Sequence, residues 1–332
     1  MILAVDGGNS KTDVALIAAD GRLLAAVRGP TTSHQQVGLA PGMDGLAGLV
    51  DEARVAAGLA GTDLPAGVGV FGLAGADTAA DSRRLTEALI ARGLASDVHV
   101  INDAFTPIRA ATDRGWGVAL ICGTGINAAG IAPDGRTARL AALGDISGDW
   151  GGGHDIGVAG LGAAVRARDG RGPRTTLETS VPARFGFARP IDLTRALEAR
   201  RLPHARLREL APVVFDEAAA GDAVSRSIVD RQAGELVAMA GAVLHRLHMT
   251  RLDPVVALAG GVFAARDEPF ETRIGDGIRR LAPRATIARV AGLPVLGAAL
   301  LGLDRSFGRD RAGRDAAAAQ LRATLGAWRP GA

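Results

Sequence analysis

An arrangement of strands and glycine turns occurs twice in this sequence, and it limits what the chain can fold into more than any other feature. In the first copy, apolar residues 2–5 lead into Asp6-Gly7-Gly8-Asn9-Ser10-Lys11-Thr12, which precedes a second apolar run over 14–18. The pair Asp20-Gly21 then predicts a tight hairpin turn, because both positions accept a positive φ, and a third strand covers 23–27. The first copy therefore predicts three consecutive strands of one sheet.

The second copy has the same order of elements. A strand over 117–122 leads through Gly123-Thr124-Gly125 into a strand over 126–131, and Pro133-Asp134-Gly135-Arg136 turns the chain into a strand over 137–141. One copy alone could be an ordinary tight turn, but two copies in the same order indicate an internal repeat. Each glycine hairpin presents backbone N–H groups, which favour anions. We therefore expect two related α/β domains that face each other and bind a nucleotide tail.

Other features of the sequence favour α/β domains that differ from the dinucleotide-binding fold. Both glycine turns lead into strands, which excludes the dinucleotide-binding fold, where G-x-G-x-x-G leads directly into a helix. Helical spacing dominates from residue 161 onward and indicates a helical insert in the second domain. The other predicted elements are strands over 67–73, 98–102 and 255–259, and helices over 82–92, 193–201, 207–220, 223–247 and 294–301.

Composition excludes several classes of protein. The chain has 332 residues, of which 48% are apolar and 22% charged, as expected for two folded domains. Its formal net charge is only +3, and scattered arginines form no basic block, so we expect no nucleic-acid partner. No apolar run approaches the about 20 residues that cross a membrane. The single cysteine, Cys122, excludes an internal disulfide, and we expect a cytoplasmic protein without a secretory signal.

Three segments resemble, in order and spacing, the phosphate-1, phosphate-2 and adenosine motifs of the actin-like sugar kinase and Hsp70 superfamily. They are residues 6–12, residues 122–127 and Leu258-Ala259-Gly260-Gly261-Val262. From residue 1 to about 303 the chain resembles more closely the N-acetylglucosamine kinase and BadF/BadG/BcrA/BcrD-type ATPase family.

This resemblance implies an α/β fold of the actin-like ATPase type. Two ribonuclease-H-like domains would flank an interdomain cleft, with the helical insert in the second domain. The expected domains are 1–110 and 111–303, the last helix, about 294–303, packing back on the first domain. A surface tail would follow over 304–332.

The resemblance also implies ATP and Mg²⁺ as cofactors. Phosphoryl transfer needs backbone donors around the phosphates, a metal and a carboxylate that takes the acceptor proton. Asp6, beside two glycines at a strand end, could hold Mg²⁺ through water, or it could simply cap the turn. Lys11 could add a point charge near the phosphates or face solvent. The implied ATP-binding residues are Gly7, Gly8, Asn9, Ser10, Lys11, Gly123, Thr124, Gly125, Gly260 and Gly261.

Asp103 is the predicted catalytic base. It follows a strand at the position where α/β sheets open ligand crevices, although an aspartate there could also cap a helix. By resemblance it matches the family's catalytic aspartate, which accepts the proton of the sugar 6-hydroxyl. The implied substrate-binding residues are Ser33, His34, Asp103, Ile126, Asn127, Gly144, Gly148 and Asp149.

The sequence departs from the family pattern around the sugar. The family's Ser-Thr-Asn-His stands here as Thr31-Thr32-Ser33-His34, its Gly-Trp-Gly as Ala142-Leu143-Gly144, and its Gly-Asp-Glu-Gly-Ser as Gly148-Asp149-Trp150-Gly151-Gly152. Trp150 could stack on the sugar or fill core, and the basic loop over 168–174 could border the sugar or only connect helices. These departures leave the identity of the sugar open.

We therefore expect an ATP-dependent kinase of the 6-hydroxyl of N-acetylglucosamine or a related amino sugar, with glucosamine or another hexose as alternatives. An ATPase that activates an acyl-CoA reductase or dehydratase is the second hypothesis, but it needs cluster-binding cysteines from each subunit, and this chain has one. A sugar-sensing regulator would carry a helix-turn-helix. A silent nucleotide-binding scaffold would not need both Asp6 and Asp103. The expected partner is a small sugar, and a homodimer is the default assembly.

Overall fold

The computed structural model describes residues 1–61, 66–290, 292–308 and 310–328, which form two compact units. The first unit comprises Met1–Trp116 and Arg289–Ala332, and the second comprises Gly117–Ala288. Of the tail expected over 304–332, residues 309 and 329–332 lie outside the described residues.

Ten strands and twelve α-helices are described. The strands are β1 (Ile2–Gly7), β2 (Thr12–Ile17), β3 (Leu23–Gly29), β4 (Ala66–Leu73), β5 (Ala95–Asn102), β6 (Gly117–Cys122), β7 (Ile126–Ile131), β8 (Thr137–Arg139), β9 (Val255–Ala259) and β10 (Thr286–Arg289). The helices are α1 (His34–Val37), α2 (Leu39–Ala56), α3 (Ala79–Ile90), α4 (Thr106–Ala111), α5 (Gly152–Arg168), α6 (Leu177–Ala183), α7 (Pro190–Glu198), α8 (Ala211–Ala219), α9 (Ala223–Arg246), α10 (Glu268–Leu281), α11 (Val295–Phe307) and α12 (Arg311–Leu325).

The sheet of the first unit has the order β3-β2-β1-β4-β5. β1 pairs antiparallel with β2 and parallel with β4, and β4 pairs parallel with β5. Both faces of β1 are covered, since Leu3 and Val5 lie in one apolar cluster and Ile2 and Ala4 lie in another. This explains why the strand is a continuous apolar run rather than an alternating one.

The sheet of the second unit has the order β10-β9-β6-β7-β8, which is the same topology read from the other edge. β6, β7 and β8 correspond to β1, β2 and β3, and β9 corresponds to β4. The internal repeat and the α/β fold class predicted from the sequence are thereby confirmed. Five helices, α5 to α9, lie between β8 and β9, whereas only α1 and α2 lie between β3 and β4, so the second unit contains the helical insert.

The C-terminal helices belong to the first unit. α11 packs against β1 and β4, and a Cβ atom on Gly297 would lie 2.0 Å from the carbonyl oxygen of Thr106, which shows how closely the helix approaches. In the segment expected to be a surface tail, α12 buries Leu321 and Leu325 in the same cluster as Ile2. These two leucines are four residues apart and so share one helix face.

Across the described residues, no helix combines the length and the hydrophobicity that crossing a membrane requires.

Candidate functional site

The first glycine hairpin, residues 7–12, joins β1 to β2. The N–H of Gly8 donates to the carbonyl of Lys11 at 3.0 Å, and the hydroxyl of Thr31 donates to the carbonyl of Gly8 at 2.8 Å. Asn9 and Ser10 at the tip of the hairpin are exposed. The backbone closes this turn, so Asp6 is not required as its cap.

Strand pairing places five residues in one row across the first sheet. Register pairs Arg28 with Asp13, Asp13 with Asp6, Asp6 with Gly72, and Gly72 with Ile101. Side chains directly opposite one another lie on the same face of a sheet. Two carboxyl groups, those of Asp6 and Asp13, are therefore neighbours on one face.

Arg28 neutralises one of these two carboxyl groups. Its Nε donates to Oδ1 of Asp13 at 2.5 Å, and its Nη2 donates to Oδ2 at 2.7 Å. Asp13 is fully buried, and this bidentate pair satisfies both of its oxygens. Arg28 forms this bidentate pair with Asp13 and not with Asp6, the other carboxyl group of the row.

Burial is the largest cause that raises the pKa of Asp6 well above its ordinary value, and the carboxyl groups of Asp103 and Asp13 raise it further. Lys11 and Arg28 lower the pKa. Because Lys11 acts on this carboxyl group, it lies close enough to Asp6 to contribute a positive charge there. The site nevertheless has an excess of negative charge.

Gly72 explains how Asp103 can influence Asp6 from two strands away. Gly72 pairs with Asp6 on one side and with Ile101, two residues before Asp103, on the other. It has no side chain that could separate Asp6 from Asp103. A Cβ atom on Gly72 would lie 2.8 Å from Cγ2 of Thr106 and 3.7 Å from Cα of Asp103. The glycine therefore opens the carboxyl edge of the sheet where Asp6 and Asp103 both lie.

Asp103 begins a short 3-10 turn, Asp103–Phe105, after β5. The side chain that caps this turn is Asn102, whose Oδ1 accepts from the N–H of Ala104 at 3.0 Å. The capping role that was the alternative for Asp103 thus belongs to its neighbour. The carboxyl group of Asp103 is half-buried.

The donor set around Asp6 fits a divalent cation. Carboxylate oxygens are preferred ligands of Mg²⁺, which usually keeps several waters and binds one or two carboxylates together with phosphates. A cation would relieve the excess negative charge around the buried Asp6. Among the described side chains, no group of three or more His, Cys, Asp or Glu is arranged to hold a metal by itself, so any cation here would depend on water and phosphate ligands.

The second glycine hairpin, residues 122–126, joins β6 to β7 and is held from behind by the start of α5. The N–H of Gly123 donates to the carbonyl of Gly125 at 2.9 Å. The N–H of Gly153 donates to the carbonyl of Gly123 at 2.7 Å, and that of His154 donates to the carbonyl of Thr124 at 2.9 Å. Thr124 and Gly125 remain exposed.

The backbone amides of Gly151 and Gly152, at the same end of α5, also donate hydrogen bonds. The N–H of Gly152 donates to Oε1 of Gln232 at 2.7 Å, and the N–H of Gly151 donates to Oδ2 of Asp155 at 2.8 Å. Gln232, on α9, is fully buried. The amides of Gly153 and His154 therefore fix the hairpin, and those of Gly151 and Gly152 hold the helix end itself. The sequence analysis assigned none of these supporting roles, nor that of Gln232. The run of glycines before α5 was the available signal.

The adenosine motif lies beside the second hairpin. Gly260 follows β9 with φ of +108°, and a Cβ atom there would lie 2.3 Å from the carbonyl oxygen of Cys122. Gly261 is exposed, and a Cβ atom there would meet nothing within 4 Å. Only glycine allows this approach of Gly260 to the end of β6.

Cys122 is buried as a free thiol at the same place. Burial raises the pKa of its thiol to about 12, despite a hydrogen bond from the backbone of Gly152 that lowers it. The thiol is therefore protonated at neutral pH and is a poor metal ligand.

Three of the predicted sugar-binding residues, Ser33, His34 and Asp103, lie on the first unit. Ser33 is only 4% exposed, and its Oγ has no hydrogen-bond partner. Nδ1 of His34 is also buried without a partner, and its ring lies against Gly75 after β4. The N–H of Ser33 donates to Oγ1 of Thr31 at 3.1 Å, which connects this loop to the first hairpin. Unpaired buried polar atoms are uncommon and suit a ligand.

The other predicted sugar-binding residues lie on the second unit. Ile126 is buried, and Oδ1 of Asn127 accepts from the N–H of Ala128 at 2.8 Å. The N–H of Asp149 donates to the carbonyl of Gly144 at 3.0 Å, and its carboxylate accepts from Ser147. Gly144 and Gly148 belong to this exposed loop, whose predicted residues the structure brings together.

Trp150 lies next to this loop and is half-buried. The guanidinium of Arg231 lies 3.8 Å from the centroid of its ring, which is a cation–π contact. The tryptophan thus packs against a charged side chain from α9. The basic loop over 168–174 connects α5 to α6, and within it Arg171 pairs with Asp169.

The profile of the BadF/BadG/BcrA/BcrD ATPase family matches residues 3–302. The chain belongs to this family. The family resemblance inferred from the three motifs is therefore confirmed, and the ATPase family supports ATP as a ligand.

Two curated relatives are sugar kinases. An N-acetylmuramic acid/N-acetylglucosamine kinase of Clostridium acetobutylicum is 28% identical over 269 residues, which cover 79% of this chain and 85% of the relative. An N-acetyl-D-glucosamine kinase of Dictyostelium discoideum is 25% identical over 315 residues, which cover 92% and 98%.

Solved structures with the same fold include a candidate N-acetylglucosamine kinase of Chromobacterium violaceum. It has a TM-score of 0.71 and 25% identity, with 91% of this chain and 98% of that chain covered. A ROK family glucokinase of Streptomyces griseus, solved with glucose and AMPPNP, has a TM-score of 0.59 and 16% identity over 91% and 97%. The actin-like ATPase fold expected for this BadF/BadG/BcrA/BcrD-family chain is thereby confirmed.

Proposed function

We propose that the protein is an ATP-dependent sugar kinase that phosphorylates the 6-hydroxyl of N-acetylglucosamine or a related amino sugar. The observation that carries this proposal is the pair of carboxyl groups, Asp6 and Asp103, at one edge of the first sheet beside a glycine hairpin. Such a pair supplies one acid to hold a cation and one to take a proton. Two sugar kinase relatives and membership in an ATPase family support the same activity.

In the proposed reaction, Asp103 is the general base. Its carboxylate accepts the proton of the sugar hydroxyl while that oxygen forms a bond to the γ-phosphorus of ATP. The bond between the γ-phosphorus and the bridging oxygen breaks, and ADP leaves with the bonding electrons. Phosphoryl transfer depends mostly on positioning and charge neutralisation, so a base in fixed geometry is the main contribution of the protein.

Each glycine hairpin is a proposed nucleotide-binding segment. We propose that backbone N–H groups and the hydroxyls of Ser10 and Thr124 donate to the β- and γ-phosphates, with Lys11 adding positive charge. Asp6 would hold Mg²⁺ through water, and the cation would supply neutralisation of the phosphate charge. The nucleotide residues on the first unit are Gly7, Gly8, Asn9, Ser10 and Lys11, and those on the second are Gly123, Thr124, Gly125, Gly260 and Gly261.

The sugar would satisfy the buried polar atoms that lack partners. We propose that Ser33 Oγ and His34 Nδ1 bond to sugar hydroxyl or acyl groups, because an unmade bond at a buried polar atom is costly. The remaining proposed sugar contacts are Ile126, Asn127, Gly144, Gly148 and Asp149. Glucosamine and other hexoses are alternative acceptors.

The activity of an ATPase that activates an acyl-CoA reductase or dehydratase is the second candidate in this family. It needs cysteine thiolates for a shared cluster. The one cysteine of this chain is buried, and its raised pKa keeps the thiol protonated. This disfavours the activator function. A cytoplasmic location and a homodimer remain predictions.

The test is a coupled assay of ADP release with a panel of amino sugars and plain hexoses. We expect turnover with N-acetylglucosamine or a close relative, and ³¹P NMR should identify a 6-phosphate product. ADP release that is the same with and without every sugar would instead indicate an ATPase without an acceptor and would overturn the proposal.

A further inference from the structure

Asp77 connects two segments of the first unit that are proposed to contact substrate. It lies in the turn after β4, and its carboxyl group is exposed. Oδ1 of Asp77 accepts from Nδ2 of Asn102 at 2.9 Å, and Oδ2 accepts from Nε2 of Gln35 at 3.1 Å. Asn102 precedes the proposed base Asp103, and Gln35 follows the proposed sugar residues Ser33 and His34.

The amide of Asn102 has only one favourable orientation. Its Oδ1 accepts from the N–H of Ala104 at 3.0 Å, while its Nδ2 donates to Asp77. A flipped amide would place an oxygen against the carboxylate of Asp77 and an NH₂ group against the N–H of Ala104. Asn102 is 6% exposed, so water has little access to its amide to compensate for either mismatch.

We infer that Asp77 is a positioning residue for phosphoryl transfer, which orients Asn102 and thereby fixes the 3-10 turn that carries the Asp103 carboxyl group. Through Gln35 the same carboxylate holds the loop of Ser33 and His34 at a fixed place relative to that turn. This inference rests on the proposed function, because the alignment of Asp103 with the loop of Ser33 and His34 matters only if the protein transfers a phosphoryl group to a sugar. No role was expected for Asp77 from the sequence.

The geometry explains why such a residue is needed. Asp103 lies at the end of β5, beyond the last ladder pair, Leu73 with Asn102, so the sheet itself no longer fixes its direction. Its turn is only three residues long. A displacement of about 1 Å in a catalytic group can cost on the order of 100-fold in rate. Side-chain bonds from Asn102 and Asp77 supply the restraint that the ladder does not.

The test compares Asp77→Ala with Asp77→Asn and with the control Asp81→Ala. Asp81 is a half-buried residue four positions along, and its carboxylate accepts from the backbone N–H and the hydroxyl of Thr78 as a helix cap. We expect Asp77→Ala to lower kcat for the sugar by roughly 10- to 100-fold with the KM for ATP unchanged. Asp77→Asn keeps an oxygen for Asn102 and should stay within about 3-fold of the native kcat. Asp81→Ala should lower Tm by a few degrees and leave kcat native.

A second readout does not depend on activity. Hydrogen exchange at the Ala104 amide, measured by NMR, should be faster in Asp77→Ala than in the native protein and unchanged in Asp81→Ala. Native kcat or native Ala104 exchange in Asp77→Ala would overturn the inference. If instead the native protein phosphorylates no sugar while Asp77→Ala accelerates exchange, the proposed function fails, and Asp77 keeps only the orienting of Asn102.

Discussion

The two glycine hairpins have the same strand topology but are stabilised differently. The first lies beside a row of charged side chains, in which Asp6 faces Asp13 and Arg28 forms a bidentate ion pair with Asp13. The second shows no such row among the described residues, and its backbone bonds to the start of α5 through Gly153 and His154. The comparison shows that one repeated scaffold can be adapted in two ways, one copy concentrating charge and the other fixing its backbone.

Each adaptation has a cost in a different place. In the first copy the cost is electrostatic, because Asp6 is held near other carboxyl groups and its pKa is raised. In the second copy the cost is steric, because Gly152 and Gly260 must lie so close to neighbouring backbone that a methyl group would not fit. Substitutions should therefore change activity and pH dependence in the first copy, and stability in the second.

The largest expected effect concerns the carboxyl groups that lie beside the first hairpin. Asp103→Asn removes the proposed base and should lower kcat by roughly 10²- to 10⁴-fold, because general-base catalysis is typically worth that much. The coupled ADP assay measures this change, and ATP affinity should be nearly native. The control is Asp134→Asn, which removes an exposed carboxylate paired with Arg136 in the second copy and should leave kcat unchanged. A native rate for Asp103→Asn would refute the base assignment.

The next largest effect concerns the second hairpin, whose backbone is held by the start of α5. Gly152→Ala would place a Cβ atom 2.4 Å from Cα of Gly125 at a residue whose φ is +83°. We expect a loss of about 2–4 kcal/mol in the free energy of unfolding, measured by denaturant titration. Gly162→Ala, on the same helix but with nothing within 4 Å, should be neutral or stabilising. Equal stability of the two variants would contradict the close packing of the hairpin on α5.

A smaller effect concerns pH. Because the pKa of Asp6 is raised in the folded protein, the folded state binds this proton more tightly than the unfolded state does. Stability from this group is therefore greatest below the unfolded pKa of about 3.9 and falls as the pH rises through the raised pKa. At pH 7–8 Asp6→Asn should be more stable than the native protein by on the order of 1 kcal/mol.

Thermal unfolding followed from pH 4 to pH 8 measures this difference, which should vanish at the acidic end. Mg²⁺ with ATP should raise Tm more for the native protein than for Asp6→Asn, since only the former has the anionic ligand. A difference in stability that does not change with pH would show that the variant acts through packing rather than charge.

The smallest effect is at the exposed loop of the second unit that is proposed to contact sugar. Ala142 has φ of +53°, which costs a residue with a Cβ atom, and it stands where the family pattern has glycine. Ala142→Gly should raise the free energy of unfolding by about 0.5–1 kcal/mol, a change that differential scanning calorimetry can resolve. A loss of stability would mean that the methyl group contributes packing that outweighs the strain.

Much of the fold could be predicted from the sequence, because the repeat is local. Apolar runs, Asp-Gly turns and glycine hairpins each depend on a few neighbouring residues, and the strands over 255–259 and 117–122 match the structure. Helices α2, α4 and α10 were not predicted, and the segment of α12 was expected to be a surface tail, either helical or partly loose. In α12 the buried leucines lie among alanines and charged residues, so periodicity was weak, and only tertiary packing shows which face is covered.

The candidate site was predicted only where its chemistry lies in short motifs. Asp6 and Asp103 were found because each follows a strand beside a recognisable sequence. The contributions of Arg28, Gly72 and Asp77 could not be found in this way, since they depend on strand register and on side chains brought together from distant segments. Gln232 is the clearest case, because nothing in a helical segment marks one buried glutamine as the partner of the Gly152 amide at the start of α5.

The bond from Gly152 to Gln232 joins residues 80 positions apart. The start of α5, whose next two amides hold the second hairpin, thus gains all its partners only after α9 has docked. Non-local contacts of this kind form slowly because closing a long loop is entropically costly. During refolding, β6 and β7 should pair early from neighbouring residues, while the loop between them should become ordered late. Competence for the nucleotide binding proposed at this hairpin would then be among the last properties that the chain gains as it folds.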